Sequence, residues 1–404
     1  MEEWKIYRLG DLVDFQNGYA FKSSKFLYDG KYKIIRIKEL KNGLVKFFED
    51  TVSISDEPNE ILSKILVNKG DVIFALTGDP VSKQNANSWV GRVSLYTHDI
   101  PAYLNQRTCK IIQCNNVVPQ YVYYYFRQYE NLYSLASKAT GSASQANIST
   151  KILEDTEILL PSLSVQEKMV AILASLDNKI ALNRRINDNL EQQAQALFDY
   201  YFSADSKYLS DSERGVLTNI AVYLNGLAMQ KFPPTDSEHS LPVLKIKELG
   251  QGKCDNNSDR CSNDIDSNYV IDNGNIIFSW SGTLMVDVWC GGKCGLNQHL
   301  FKVTPLKDYP QWFIYYWTIR HLNTFKLIAK DKAVTMGHIK RGDLEKAEVI
   351  IPNRYSLVEM NAQIEPLYQS IINNRLQIAE LETLRDALLP RLMSGELKIN
   401  DLNC

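Results

Sequence analysis

The feature that most constrains this 404-residue chain is that it repeats itself. The stretch Val165–Phe198 returns 191 positions further on, where Asn183-Arg184 becomes Asn374-Arg375, Leu190-Glu191 becomes Leu381-Glu382 and Ala196-Leu197 becomes Ala387-Leu388. The same offset takes Leu153 through Pro161 onto Leu344 through Pro352, and Pro119-Gln120 onto Pro310-Gln311. Farther upstream the register drifts. Leu104-Asn105-Gln106 matches Leu296-Asn297-Gln298 at 192, Gly70–Phe74 matches Gly274–Phe278 at 204, and Ile37–Leu40 matches Ile246–Leu249 at 209. A well-kept part joined to a drifting part, used twice, is one supersecondary unit duplicated. The second drifting part is about 18 residues shorter, the difference between offsets 209 and 191, and the loss is expected in loops. Loops that differ on a shared scaffold are where binding specificity usually resides.

The drifting parts, 1–162 and 204–353, read as mixed α/β domains. Lys33–Ile37, Asp71–Leu76 and Cys109–Ile112 have the length and β-branched content of strands. Pro119–Phe126 and its counterpart Pro310–Trp317 each open on proline and run long enough for helices. Their aromatic stripes suit core packing, with a base-stacking platform as the rival reading.

The well-kept parts, 163–203 and 354–404, read as long helices. Steps of three and four place Leu173, Leu176, Ile180, Asn183, Asn187, Leu190, Ala194 and Leu197 on one seam. The second copy places Ile364, Leu367, Ile371, Asn374, Ile378, Leu381, Arg385 and Leu388 there. So narrow a seam wants one long partner helix, and the duplicate is the obvious candidate. A helix over Ser164–Phe202 would be roughly 60 Å long. Two similar units in one chain can mimic a two-fold dimer, with antiparallel helices and the globular parts at opposite ends. The expected class is therefore α+β: two mixed α/β domains separated by two long antiparallel coiled-coil helices, with a pseudo-two-fold internal repeat. Asn183 and Asn374 fall near the middle of their seams and are predicted to face one another and fix the register. Two separately solvated amides are the alternative.

Composition narrows the class. No apolar run approaches the ~20 residues that cross a bilayer, so no membrane association is expected. The start, Met1–Ile6, has no signal pattern, and seven cysteines in no regular framework suit a reducing cytoplasm. Lys+Arg 45 against Asp+Glu 47 gives a net charge of −2, which speaks against a nucleic-acid binder working by bulk charge. Split along the repeat, residues 1–162 carry 19 against 18, residues 204–353 carry 17 against 17, and the helical segments 9 against 12. Any DNA binding must then rest on local patches.

Three segments carry a family resemblance. Trp4–Phe21 resembles the start of a type I restriction-modification specificity subunit, and Leu160-Pro161 and Ile351-Pro352 resemble that family's junctions into spacer helices. Leu384–Leu397 is similar to the end of its distal helix, and the likeness covers essentially the whole chain. The resemblance implies that 1–162 and 204–353 are target recognition domains, each reading half of a bipartite, asymmetric site on double-stranded DNA. It implies that 163–203 is the central spacer helix, and 354–404 the distal spacer helix with the C-terminal tail. The helices would set the gap and dock modification (methyltransferase) subunits, which restriction (motor-nuclease) subunits join in phage defence. Two rigid, unlike heads also suit two half-sites about 34 Å, one duplex turn, apart.

No chemistry is expected of the chain itself. It has no Gly-x-x-x-x-Gly-Lys-Ser/Thr phosphate loop, and Phe232-Pro-Pro-Thr235 departs from the adenine-methyltransferase motif at both ends. S-adenosylmethionine, ATP and Mg would be used by partner subunits, with no cofactor bound here. Cys254, Cys261, Cys290 and Cys294 have poor spacing for a zinc site and read as free thiols, with no metal expected.

Candidate DNA contacts are small, polar and basic loops at repeat-equivalent places. In the first copy they are Lys22, Ser23, Lys25, Thr77, Gly78, Asn105, Gln106, Arg107, Lys138, Thr140, Ser142, Ser144 and Gln145. In the second they are Lys231, Ser281, Thr283, Gln298, His299, Lys330, Lys332, Thr335, His338 and Lys340. The rival class is a non-catalytic adaptor with two protein-binding heads on a coiled coil.

Overall fold

A computed structural model describes residues 4–83, 85–142, 145–331 and 337–398. Contacts divide the chain into two compact units, Met1–Asp177 with Leu384–Cys404, and Asn178–Thr383.

The first unit is built on a six-stranded sheet. Its order is Val13–Asn17, Thr108–Cys114, Val72–Ala75, Val93–Leu95, Leu44–Val45 and Leu40–Lys41. Val72-Ile73-Phe74-Ala75 is buried at every position, as expected of an apolar run flanked by strands and covered on both faces. A four-stranded sheet (Ser53–Ile54, Tyr32–Ile35, Ala102–Leu104, Leu66–Val67) encloses a separate apolar cluster around Tyr103 and Ile34. The main core lies between the large sheet and the helices Pro119–Arg127 and Tyr129–Ala136. Tyr121, Tyr123, Tyr124 and Phe126 are buried in it, so the aromatic stripe is core and not a stacking platform.

The second unit keeps the first four strands of that order as Ala221–Asn225, Leu300–Pro305, Ile276–Ser279 and Met285–Val288. A second sheet of four follows: Arg260–Ser262, Ser240–Leu244, Cys294–Leu296 and Val270–Ile271. The shortening expected in loops alone also removes structure. Strands Leu40–Lys41 and Leu44–Val45, at the edge of the six-stranded sheet, have no counterpart in the four-stranded one. An edge pair that short contributes little to a core, so the scaffold survives its loss. One helix, Gln311–Asp331, stands where the first unit has two, and buries Trp312, Phe313, Tyr316 and Trp317.

Two long helices complete both cores. Leu163–Tyr201 starts in the first unit, where Val165, Met169 and Leu173 are buried, and ends in the second with Ala194, Phe198 and Tyr201. Arg354–Met393 does the reverse, burying Met360, Ile364 and Tyr368 in the second unit and Leu389, Leu392 and Met393 in the first. Each helix follows a two-stranded ribbon, Lys5–Arg8 with Glu157–Leu160 or Glu213–Val216 with Glu348–Ile351, across Pro161 or Pro352. Buried Gln166 fastens the first junction: its Oε1 accepts from the Val118 N–H at 3.0 Å and its Nε2 donates to Pro161 O at 3.0 Å.

Within the second unit the helices run antiparallel along the expected seam, but Asn183 and Asn374 do not meet. Asn374 Nδ2 donates to Asn187 Oδ1 at 2.9 Å, and Asn187 Nδ2 to Ile371 O at 3.1 Å. The repeat would pair Asn183 with residue 378 in the same way, but that residue is isoleucine and offers no acceptor. Asn183 Nδ2 donates instead to neighbouring Gln377 Oε1 at 2.6 Å. The register thus lies about one turn from the expected one, and Asn187 carries more of it than Asn183. Two repeat-equivalent ion pairs flank it, Arg184 with Glu382 at 2.5 Å and Arg375 with Glu191 at 2.8 Å. Arg375 also pairs with Asp287 of the sheet at 2.5 Å, and these carboxylates hold its guanidinium above the usual arginine range despite burial. In the first unit Arg385, on the seam, is paired with Asp177 at 2.9 Å, which also accepts from Tyr124 Oη at 2.8 Å. Asn187→Leu is expected to leave the Asn374 amide unpaired and to lower stability by about 1–2 kcal/mol. Urea unfolding checks this, and an unchanged midpoint would mean the amides do not set the register.

Candidate nucleic-acid interface

In each unit five short segments are tied together by the same main-chain hydrogen bonds. In the first, Gly18 N donates to Thr108 O at 2.9 Å, Tyr19 N to Leu104 O at 3.0 Å and Asn105 N to Ile35 O at 3.0 Å. Leu76 N donates to Arg107 O at 2.9 Å, and Ile148 N to Leu76 O at 2.9 Å. In the second, the equivalents are Gly226 N to Leu300 O at 3.0 Å, Leu227 N to Leu296 O at 3.0 Å and Asn297 N to Leu244 O at 3.2 Å. They continue with Trp280 N to His299 O at 3.4 Å and Ile339 N to Trp280 O at 3.1 Å. Glycine is required at the crossing. A Cβ on Gly18 would lie 2.2 Å from Asn105 O, and one on Gly226 would lie 2.2 Å from Asn297 O.

The side chains on this shared frame differ between copies. In the first unit Gln106 and Arg107 are exposed on the Asn-Gln-Arg turn, beside a three-stranded patch of Thr140–Ser142, Gln145–Asn147 and Thr77–Gly78. Thr140 and Gln145 are exposed there. Thr77 is a correction to the expected contacts: it is 2% exposed and its hydroxyl donates to Asn147 Oδ1 at 2.9 Å, so it positions the patch from below. In the second unit Ser281, Gln298, His299 and His338 converge around Trp280. The Ser281 hydroxyl, also buried, is hydrogen-bonded to His299 Nδ1 at 3.0 Å, and Gln298 Nε2 lies 3.4 Å from His299 Nε2. Ser281 pairs with His338 through the main chain, and the Trp280 ring lies 6.1 Å from His299 and 6.2 Å from His338. Trp280 Nε1 donates to Asn225 Oδ1 at 2.9 Å.

The remaining candidates are more scattered. Lys22, Ser23 and Lys25 are exposed on a short 3-10 turn, where Lys25 pairs with Asp56 at 2.6 Å. The hydrogen bond and charge of Asp56 hold the Lys25 ammonium above the usual lysine range, so part of its charge is already answered. Lys138 is exposed and donates to Thr156 Oγ1 at 3.3 Å. Gly78 is half-buried, and Lys231, Thr283, Lys330 and Lys340 are exposed. Ser144, Lys332 and Thr335 lie outside the described residues, as does the side chain of Ser142. Among the described residues no group of three or more His, Cys, Asp or Glu side chains is placed to hold a metal ion, and no helix is long and apolar enough to cross a membrane.

Sequence reasoning did not single out Trp280, Asn225 or the paired glycines. The signal was present in the repeat, since Asn17-Gly18 and Asn225-Gly226 correspond at an offset of 208.

The chain matches the type I restriction modification DNA specificity domain over residues 1–192 and 212–383, so the match itself falls twice, once on each copy. The chain belongs to this family. Among the relatives of this specificity-domain chain is the type I restriction enzyme MjaIX specificity subunit of Methanocaldococcus jannaschii, 25% identical, with 99% of this chain and 95% of the relative covered. The EcoBI specificity subunit of Escherichia coli is 23% identical over 98% of this chain and 86% of its own length. The crystal structure of a type I restriction-modification S subunit from M. genitalium shares the fold, with a TM-score of 0.62 at 15% identity, covering 97% of this chain and 96% of that one.

Trp280→Ala is expected to leave the second unit folded, because the ring is only half-buried, while freeing His299 and His338 from their common face. DNA discrimination by that unit should fall roughly tenfold, with the first unit's unchanged. Binding to duplexes varied in one half-site at a time reads the difference.

Proposed function

We propose that the chain is the DNA recognition subunit of a type I restriction-modification complex, with segments 1–162 and 204–353 as its two target recognition domains. Each reads one half of a bipartite, asymmetric duplex site. The long helices over 163–203 and 354–404 set the gap between halves and dock methyltransferase subunits, to which motor-nuclease subunits are added. The observation that supports this reading best is the repeated main-chain frame, identical in its hydrogen bonds and different in its side chains, in a chain of this family. A frame that is constant where backbone meets backbone and variable where side chains reach solvent suits two readers of unlike sequences.

The chain would contribute recognition and no bond-making step, while its partners in the cytoplasm supply S-adenosylmethionine-dependent methylation and ATP- and Mg-dependent cleavage. Near-neutral domains make its own grip on phosphate weak, so affinity should rise on assembly. The direct check is co-expression with a cognate methyltransferase subunit. The expected result is a stable complex that methylates DNA at defined sites only when this chain is present. A chain that recruits the subunit without conferring any sequence preference would be an adaptor instead.

A further inference from the structure

We infer that Arg107 is a specificity-determining residue of the first unit and that the base it reads is guanine; this rests on the DNA-recognition reading above. Arg107 is exposed at the tip of a turn whose main chain has almost no freedom. Its own carbonyl accepts from Leu76 N at 2.9 Å, Gln106 N donates to Tyr19 O at 3.0 Å, and Asn105 O accepts from both Thr108 N at 2.9 Å and Thr108 Oγ1 at 2.7 Å. Gly18 closes on the same carbonyl so tightly that no side chain fits between. The backbone that carries the guanidinium is thus fixed before any ligand arrives, which lowers the ordering cost of a two-pronged hydrogen bond. Among the described residues no carboxylate forms an ion pair with Arg107, unlike Lys25, Arg8 and Lys83, which all do.

The flanking groups are neutral and polar. Gln106 precedes Arg107 on the turn, and strand Thr77–Gly78, which follows Leu76, pairs with Gln145–Asn147. A cation with no ion-pair partner among the described residues, on a rigid stem beside hydrogen-bonding side chains, suits a base edge better than the backbone, where several mobile cations spread over successive phosphates do the work. Of the four bases only guanine presents two adjacent acceptors, O6 and N7, to the arginine fork in the major groove. The second unit sets His299 at the repeat-equivalent place and occupies it with Ser281 and Gln298. A ring whose Nδ1 is already engaged cannot reproduce the fork, so the two halves of the site differ here by construction.

The test uses the full chain assembled with its methyltransferase subunits, on duplexes randomised in both half-sites. Arg107→Ala should lower preference for guanine at one position of one half-site by roughly tenfold to a hundredfold and leave the other half-site unchanged. Arg107→Gln should shift that position toward adenine, whose N6 and N7 match an amide. A uniform loss across all sequences, with the salt dependence reduced by about one phosphate contact, would make Arg107 a backbone contact and overturn the inference. So would unchanged selectivity. If the wild-type assembly selects no sequence at all, the recognition reading fails first, and that outcome is distinct from the other two.

Discussion

Gly226→Ala is expected to destabilise the second unit by about 3 kcal/mol, since inserting a methyl into a packed contact costs typically 1–3 kcal/mol and this one meets immovable backbone. The added Cβ would sit 2.2 Å from Asn297 O, and 2.5 Å from Leu296 O, both main-chain atoms of the segment that carries Gln298 and His299. Relief requires that segment to move by an ångström or more, which breaks the bonds from Leu227 N to Leu296 O and from Asn297 N to Leu244 O. The thermal transition of the second unit should fall by roughly 6–12 °C, the shift expected for that loss in a domain of this size. Gly18→Ala should do the same to the first unit, against Asn105 O. The functional consequence separates by copy: each variant should lose discrimination at one half-site and retain it at the other. Equal losses at both would show that the two frames are not independent readers.

Phe198→Ala is expected to cost about 4 kcal/mol, the middle of the range for deleting a buried aromatic side chain. Phe198 is fully buried, with ring centroids 4.7 Å from Phe202, 5.5 Å from Tyr316 and 5.4 Å from Trp317, and the Arg320 guanidinium 5.7 Å above it. It is the point at which the helix Leu163–Tyr201 enters the second unit's core, so truncation loosens the helix from the globular part as well as opening a cavity. Its repeat equivalent, Leu389, plays that part in the first unit, where it is less completely buried and smaller. Leu389→Ala should therefore cost less, about 2–3 kcal/mol. Urea unfolding followed by tryptophan fluorescence reports the second unit through Trp280, Trp289, Trp312 and Trp317, and a Phe198→Ala midpoint equal to wild type would contradict the packing described.

The architecture was legible because repetition and heptad spacing are properties of position alone. Leu173, Ile180, Asn183, Asn187 and Ala194 are buried where steps of three and four place them. The register was not legible, because it turned on one residue. Ile378 stands where symmetry called for an acceptor, and Asn183 found Gln377 instead. Offsets alone place the shortening of the second copy in loops, yet it also lacks two edge strands of two residues each, too short to leave a periodic signal. At the candidate interface the Asn-Gln-Arg and Asn-Gln-His turns were visible as polar motifs, but their rigidity was not. That depends on glycines more than 70 residues away in sequence, which only the repeat alignment brings into view. Thr77 and Ser281 read as contact residues because threonine and serine commonly are. Burial turned both hydroxyls inward, to Asn147 and His299.

The central claim is that one duplicated scaffold carries two different readers. Mapping the methylated positions across a genome, in cells expressing this chain with its methyltransferase subunits, tests it most directly. The predicted result is a single motif made of two short, unlike half-sites separated by a fixed gap. A contiguous motif, or two identical half-sites, would contradict it.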